Sequence, residues 1–193
     1  MNRTRTEAFS DGVFAVAATL LVFSVQVPDV KANLGRALLD LWPAYAAYVV
    51  SFATILVIWV NHHSVMDSIK SFDRPLLYLN GMLMMVIAVI PFPTFVFAKY
   101  LVAGHDESAA GVAYGITMTL ASLLFGAIDL YIRQRRLITA RPSFLAFSIG
   151  QLFYPIATLI SIFSARLAIV LYGALVVYYA AFPLVTERQS RPR

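Results

Sequence analysis

Residues 76–101 read Leu76-Leu-Tyr-Leu-Asn80-Gly-Met-Leu-Met-Met85-Val-Ile-Ala-Val-Ile90-Pro-Phe-Pro-Thr-Phe95-Val-Phe-Ala-Lys99-Tyr-Leu101. A hydrocarbon core about 30 Å thick is crossed by roughly 20 apolar residues of helix, and this run exceeds that length. Five more runs of the same kind lie on either side: Phe9–Val27, Tyr45–Val65, Ala109–Tyr131, Phe144–Phe163 and Leu167–Val185. Each is about twice the roughly 10-residue length of a barrel strand, and none alternates strictly. The reading is therefore all-α, a polytopic membrane protein with six transmembrane helices over about 6–27, 43–66, 75–101, 109–132, 143–163 and 166–185. Pro91 and Pro93 each remove a helix donor and clash with the preceding turn, so the third helix should break toward its outer end.

Composition agrees. The 193 residues are 60% hydrophobic and 13% charged, far from the surface a soluble domain of this length needs. Cysteine is absent, which excludes thiol catalysis and thiolate metal binding. Arg3 and Arg5 before an apolar stretch resemble a signal peptide, but the stretch is too long, contains Asp11, and meets Val27-Pro28-Asp29 where a cleavage site would need small residues. It reads as a retained first helix. Connections are short, without linkers or repeats, so residues 1–193 form one unit. Leu34, Leu38 and Leu41 recur at helical spacing beside Lys31, Arg36 and Asp40, which predicts a short interfacial helix. The tyrosines and Trp59 need only membrane interfaces and packing to account for them.

Charge gives the topology. With the amino terminus on one side, that side collects Arg3, Arg5, Lys70, Arg74, Arg133, Arg135, Arg136, Arg141, Arg188, Arg191 and Arg193. The other side holds only Lys31, Arg36, Lys99 and Arg166. Positive loops stay in the cytoplasm, so both termini are predicted cytoplasmic, in agreement with an even number of crossings. The pI of about 9.6 is thereby explained without nucleic acid as a partner.

Polar residues at membrane depth need partners or a water-filled cavity. Ser10 and Asp11 near the start of the first helix, and Asn61, His62 and His63 near the end of the second, fall at similar depth on the cytoplasmic side. With Arg5 they are expected to form a polar knot that joins the two helices. Its roles are structural glue or, since histidine titrates near neutral pH, a proton relay or gate. Adjacent histidines point to different faces and His105 falls on the opposite side, so no metal site is expected. Asp129 and Arg133 form an i,i+4 pair by spacing. No cluster offers acid, base and nucleophile together, so catalytic residues and cofactors are read as none.

The stretch Arg5-Thr-Glu-Ala-Phe9-Ser10-Asp11-Gly12, followed by Trp59-Val-Asn61-His62-His63 on the second helix, resembles the prokaryotic branch of the transmembrane-protein-175 family of lysosomal-type potassium channels. The resemblance implies a homotetramer, one six-helix unit per chain, in a prokaryotic plasma membrane, with monovalent cations as its partners. It implies a pore lined by the first helix of each subunit, potassium ions as the only metal, and apolar constriction rings. By distance from Phe-Ser-Asp those rings fall at Val16, Leu20 and Phe23, with Thr19 a neighbouring hydroxyl. Arg5, Phe9, Ser10 and Asp11 would contact polar residues of the second helix and hold the pore helix. The family commonly has a bulkier aliphatic residue at the Val16 position and an aliphatic one at Phe23, which implies a looser inner ring and a tighter outer one. Val16, Thr19, Leu20 and Phe23 do share one helical stripe, though an ordinary helix seam has the same spacing. A Thr-Val-Gly-Tyr-Gly filter is absent, so weak potassium preference is expected. A proton-coupled transporter using Asp11 with His62 or His63 is the alternative.

Overall fold

The computed structural model describes residues 3–28, 33–137 and 144–190, and Lys31, Arg141, Arg191 and Arg193 of the charge pattern lie outside them. Eight α-helices and one 3-10 turn account for most of these residues, and no strand occurs among them. Helix α1 spans Arg3–Leu20 and tightens into a 3-10 turn, η1, over Leu21–Ser24. It is followed by α2 (Leu34–Asp40), α3 (Trp42–Ser68), α4 (Arg74–Val89), α5 (Pro91–Ala103), α6 (Glu107–Gln134), α7 (Phe144–Ser161) and α8 (Ala165–Ser190).

The ends follow from local chemistry. The Asn33 side chain accepts the Arg36 amide at 3.3 Å and starts α2, so the leucine-spaced segment does form a short helix. Pro43 sits in the first turn of α3 and Pro75 in that of α4, where the missing donor costs nothing. Gly104 in the left-handed region (φ 73°) ends α5. Pro91 and Pro93 split the long apolar run into α4 and α5, as their missing donors require, and the Ile90 amide turns back onto the Ile87 carbonyl at 3.2 Å. The first helix is shorter as an α-helix than its apolar run. β-branched Val22 and Val25 and the extended backbone that Pro28 imposes on its predecessor favour the early tightening at Leu21.

Among the described residues four segments are long and apolar enough to cross a membrane: Arg3–Ser24, Trp42–Ser68, Arg74–Ala103 and Glu107–Gln134. Helix α8 adds a shorter apolar stretch, Ala165–Ala181. Helix α6 is central and packs on α4, α5, α7 and α8, while α1 lies against α3 and α4. Polar groups turn inward. Ser51 Oγ donates to the Tyr114 hydroxyl at 3.1 Å and lies 3.0 Å from Thr94 Oγ1; Thr119 and Thr158 pair at 3.2 Å. Large apolar side chains such as Met85, Phe92, Leu152, Val170 and Val177 point outward. Hydroxyls inside and hydrocarbon outside suit lipid as the solvent, because lipid tails solvate apolar side chains but offer hydroxyls no hydrogen-bond partner.

Candidate functional site

Helix α1 has two unlike faces. Ser10, Phe14, Ala17, Leu21 and Ser24 follow helical spacing and are buried against the rest of the chain. The opposite face carries Phe9, Val16, Thr19, Leu20 and Phe23, and the chain leaves it uncovered; Val16 is 57%, Leu20 42% and Phe23 69% exposed. Thr19 Oγ1 donates to the Val16 carbonyl at 2.9 Å. Its one hydroxyl hydrogen is thereby used within the helix, and its lone pairs remain outward.

Two polar networks fasten α1. In the buried one, Ser10 Oγ donates to the Thr6 carbonyl (3.0 Å) and accepts from Asn80 Nδ2 (3.1 Å). Asn80 Oδ1 lies 2.8 Å from His62 Nε2, and since a carboxamide oxygen only accepts, the imidazole donates there. The His62 ring is 2% exposed overall and sits between Phe14 and Phe125, with centroids 5.4 Å and 6.4 Å away. Ser10 and His62 are thus joined through a residue of α4 that the sequence reading did not include.

The second network lies nearer the surface. Trp59 Nε1 donates to Asp11 Oδ1 at 2.9 Å, and the indole stacks on the His63 ring at 5.9 Å. His63 lies 3.5 Å from Asp67, which pairs with Arg3, and Arg3 also binds Glu7 at 2.6 Å. The adjacent histidines serve different networks because successive helical residues face different ways. Asn61 joins neither: its amide donates to the Val57 carbonyl at 2.9 Å, and it lines a small cavity of about 60 Å³ beside Tyr154 and Tyr179. Arg5 and Phe9 are exposed, and Arg5 makes no salt bridge among the described residues. Between α1 and α3 runs a groove of about 360 Å³, walled by Phe14, Ala15, Ala18, Phe52 and Leu56, with the Trp59–Asp11 bond at its edge.

Asn80, Asp67, Glu7, Arg3 and Trp59 are the members missed; Trp59, read from the sequence as needing only an interface, binds Asp11 instead. Asn80 gave a signal, an amide deep in an apolar run, which demands a partner by the same rule as Ser10 and His62. Among the described residues no group of three His, Cys, Asp or Glu could hold a metal. The Asp129 carboxylate accepts from Arg133 at 2.7 Å, the i,i+4 pair read from spacing.

Comparison with known proteins bears on this arrangement. The profile of the endosomal/lysosomal potassium channel TMEM175 matches residues 5–91, the part that contains every member of the buried network. A potassium channel of Streptomyces collinus is 37% identical over 97% of this chain and 97% of its own. The endosomal/lysosomal proton channel TMEM175 of Homo sapiens is 35% identical over 47% of this chain and 20% of its own length. The crystal structure of a lysosomal potassium-selective channel TMEM175 homolog from Chamaesiphon minutus superposes with a TM-score of 0.82 at 33% identity, covering 93% of this chain and 96% of that one.

Proposed function

The chain belongs to the TMEM175 family, and we propose that it is one subunit of a homotetrameric, potassium-permeable cation channel whose pore is lined by α1. The observation that carries this reading is the likeness, over nearly its whole length, to a potassium channel of Streptomyces collinus. The uncovered stripe of α1 is compatible with the choice of pore helix, since its own chain leaves Val16, Leu20 and Phe23 open to a lumen, a neighbour or lipid.

Around a fourfold axis, Val16, Leu20 and Phe23 form three stacked apolar rings. Narrow apolar rings expel water, so they gate by dewetting and open when they widen enough to wet. Thr19 presents four hydroxyl oxygens between the inner two rings and replaces part of a cation's hydration, because its hydrogen is held by Val16. With no ring of backbone carbonyls, discrimination of potassium from sodium is modest. The two networks hold α1 to α3 and α4 at its amino-terminal end, so ring geometry is set by side-chain bonds outside the lumen. Residues 1–193 form one unit in which α7 and α8 supply the fifth and sixth crossings. Both termini lie in the cytoplasm of a prokaryotic cell, consistent with the basic residues on that side. A proton-coupled transporter has less support, for Asp11 is held by Trp59 and His62 by Asn80, with no hydrogen bond joining them among the described residues.

The test is passive flux from liposomes loaded with potassium in external sodium, with valinomycin to verify intact vesicles. Wild-type protein gives potassium flux, and Leu20→Asn, which wets the middle ring, raises it several-fold. Absence of flux at every pH, in vesicles that respond to valinomycin, rejects the channel.

A further inference from the structure

Two hydrogen bonds join the connection between α3 and α4 to the end of α6. The Lys70 amide donates to the Leu137 carbonyl at 2.8 Å, and the Tyr131 phenol donates to Asp73 at 2.6 Å. Residues 69–74 and 131–137 carry five basic side chains, Lys70, Arg74, Arg133, Arg135 and Arg136, and a single acid, Asp73. That acid is occupied by Tyr131 and by the Leu76 amide, and Arg133 pairs with Asp129. Lys70, Arg74 and Arg136 are exposed and form no salt bridge among the described residues, while the Arg135 guanidinium lies 5.7 Å from the centre of the Tyr131 ring. The fold thus gathers, from segments far apart in the chain, more positive charge than it balances. Like charges held together repel, so the arrangement favours an anion beside them.

The backbone at Arg136 is a second, independent sign. Helix α6 ends in a Schellman turn, with the Leu137 amide returning to the Ile132 carbonyl at 2.9 Å and the Arg136 amide to the Arg133 carbonyl at 3.1 Å. The turn holds Arg136 in the left-handed region (φ 52°), a conformation glycine adopts without the clash of a Cβ. Local stability favours glycine here, so the guanidinium is kept against the backbone's preference. Retention of a loop on one side of a membrane needs basic residues in number, not one at this strained place.

From Arg74 onward, α4 passes from charge to hydrocarbon along one stripe. Arg74, Tyr78, Met82, Met85 and Val89 follow helical spacing and are all exposed, Tyr78 by 75%. Tyrosine settles at headgroup level, so the cations before it meet phosphates and the methionines after it meet acyl chains. We propose that this basic patch binds the headgroup of an anionic phospholipid. Lys70, Arg74 and Arg136 supply its charge partners, and the acyl chains run along Met82, Met85 and Val89. An acidic peptide or a free anion meets the same charges but makes no use of the apolar stripe. The bound lipid fastens the α3–α4 connection to the end of α6. The proposal requires only that the chain is embedded in a membrane, and stands apart from the channel reading.

The full chain is purified in a neutral detergent, and native mass spectrometry compares retained dioleoylphosphatidylglycerol with dioleoylphosphatidylcholine. Wild type retains the anionic lipid in preference, and Lys70→Gln and Arg74→Gln each lower that preference by about five-fold. Both side chains are exposed, and Lys70 holds Leu137 through its backbone, so these variants fold. Arg136→Gly separates charge from structure. Without added lipid it melts no lower than wild type, yet it loses the same share of the preference. Arg36→Gln in α2, at the other end of α3, keeps the wild-type preference. Equal retention of the two lipids by wild type, or a wild-type preference in all three patch variants, overturns the proposal. So does displacement of the lipid by glycerol phosphate at the same concentration, since the apolar stripe then adds nothing.

Discussion

Asp73 binds two partners at once. Its carboxylate accepts the Leu76 amide at 3.0 Å, which caps α4, and the Tyr131 phenol of α6 at 2.6 Å. The phenol hydrogen bond, then the amide, hold the Asp73 carboxyl below the usual carboxylate range, because both donors favour the charged form. The folded pKa is lower than the unfolded one, so the linked stability is present above the ordinary carboxylate pKa and is lost as pH falls through the depressed value. Tyr131→Phe is therefore expected to lower the melting temperature by a few degrees at pH 7 and to leave the far-UV spectrum intact. Its difference from wild type shrinks as acid protonates Asp73, and melts repeated from neutral to acid pH check this. A difference independent of pH would mean that Tyr131 acts through packing alone.

Between elements, the closest fit is where α6 meets α7 and α8. A Cβ at Gly115 would come 2.8 Å from Thr158 Cβ and collide with the Tyr172 hydroxyl, whereas one at Gly81 of α4 would meet nothing within 4 Å. Alanine gains about 1 kcal/mol over glycine in a helix, and forcing atoms into a packed seam costs about 1–3 kcal/mol. Gly115→Ala should thus melt below wild type and Gly81→Ala at or above it, as read from thermal scans of the two variants side by side. Seams of this kind were not legible in the sequence. Four of the six expected membrane-length helices were, because each needs a long apolar run, and so was the break at Ile90, because prolines 91 and 93 act locally. The tightening at Leu21 was not, since no single residue there forbids the α-helix. The site divides in the same way. That Ser10, Asp11 and His62 need partners follows from their own polarity in an apolar run. Which partners they find depends on how α1, α3 and α4 dock, so Asn80 and the Trp59–Asp11 bond became visible only with the fold.

At the scale of the whole molecule the question is which apolar surface meets lipid and which would meet another copy in the proposed tetramer. Outward side chains such as Val170 and Val177 on α8 are as exposed as Val16 and Phe23, so exposure alone does not distinguish them. Gly12 does offer a distinction. It lies on the exposed side of α1, and a Cβ there has no neighbour within 4 Å in the subunit. A larger residue therefore costs the subunit nothing and improves helix propensity, whereas close approach of four α1 helices around an axis needs position 12 to stay small. Gly12→Leu is expected to keep its helix content and the melting behaviour of the isolated subunit. Its particle mass in detergent, measured by light scattering, should fall from the proposed four chains toward one, and potassium flux should be lost with it. Val170→Leu, on the exposed face of α8 away from the proposed pore helix, should keep both mass and flux. If Gly12→Leu assembles and conducts like wild type, α1 does not face the axis and the pore must be sought on another helix.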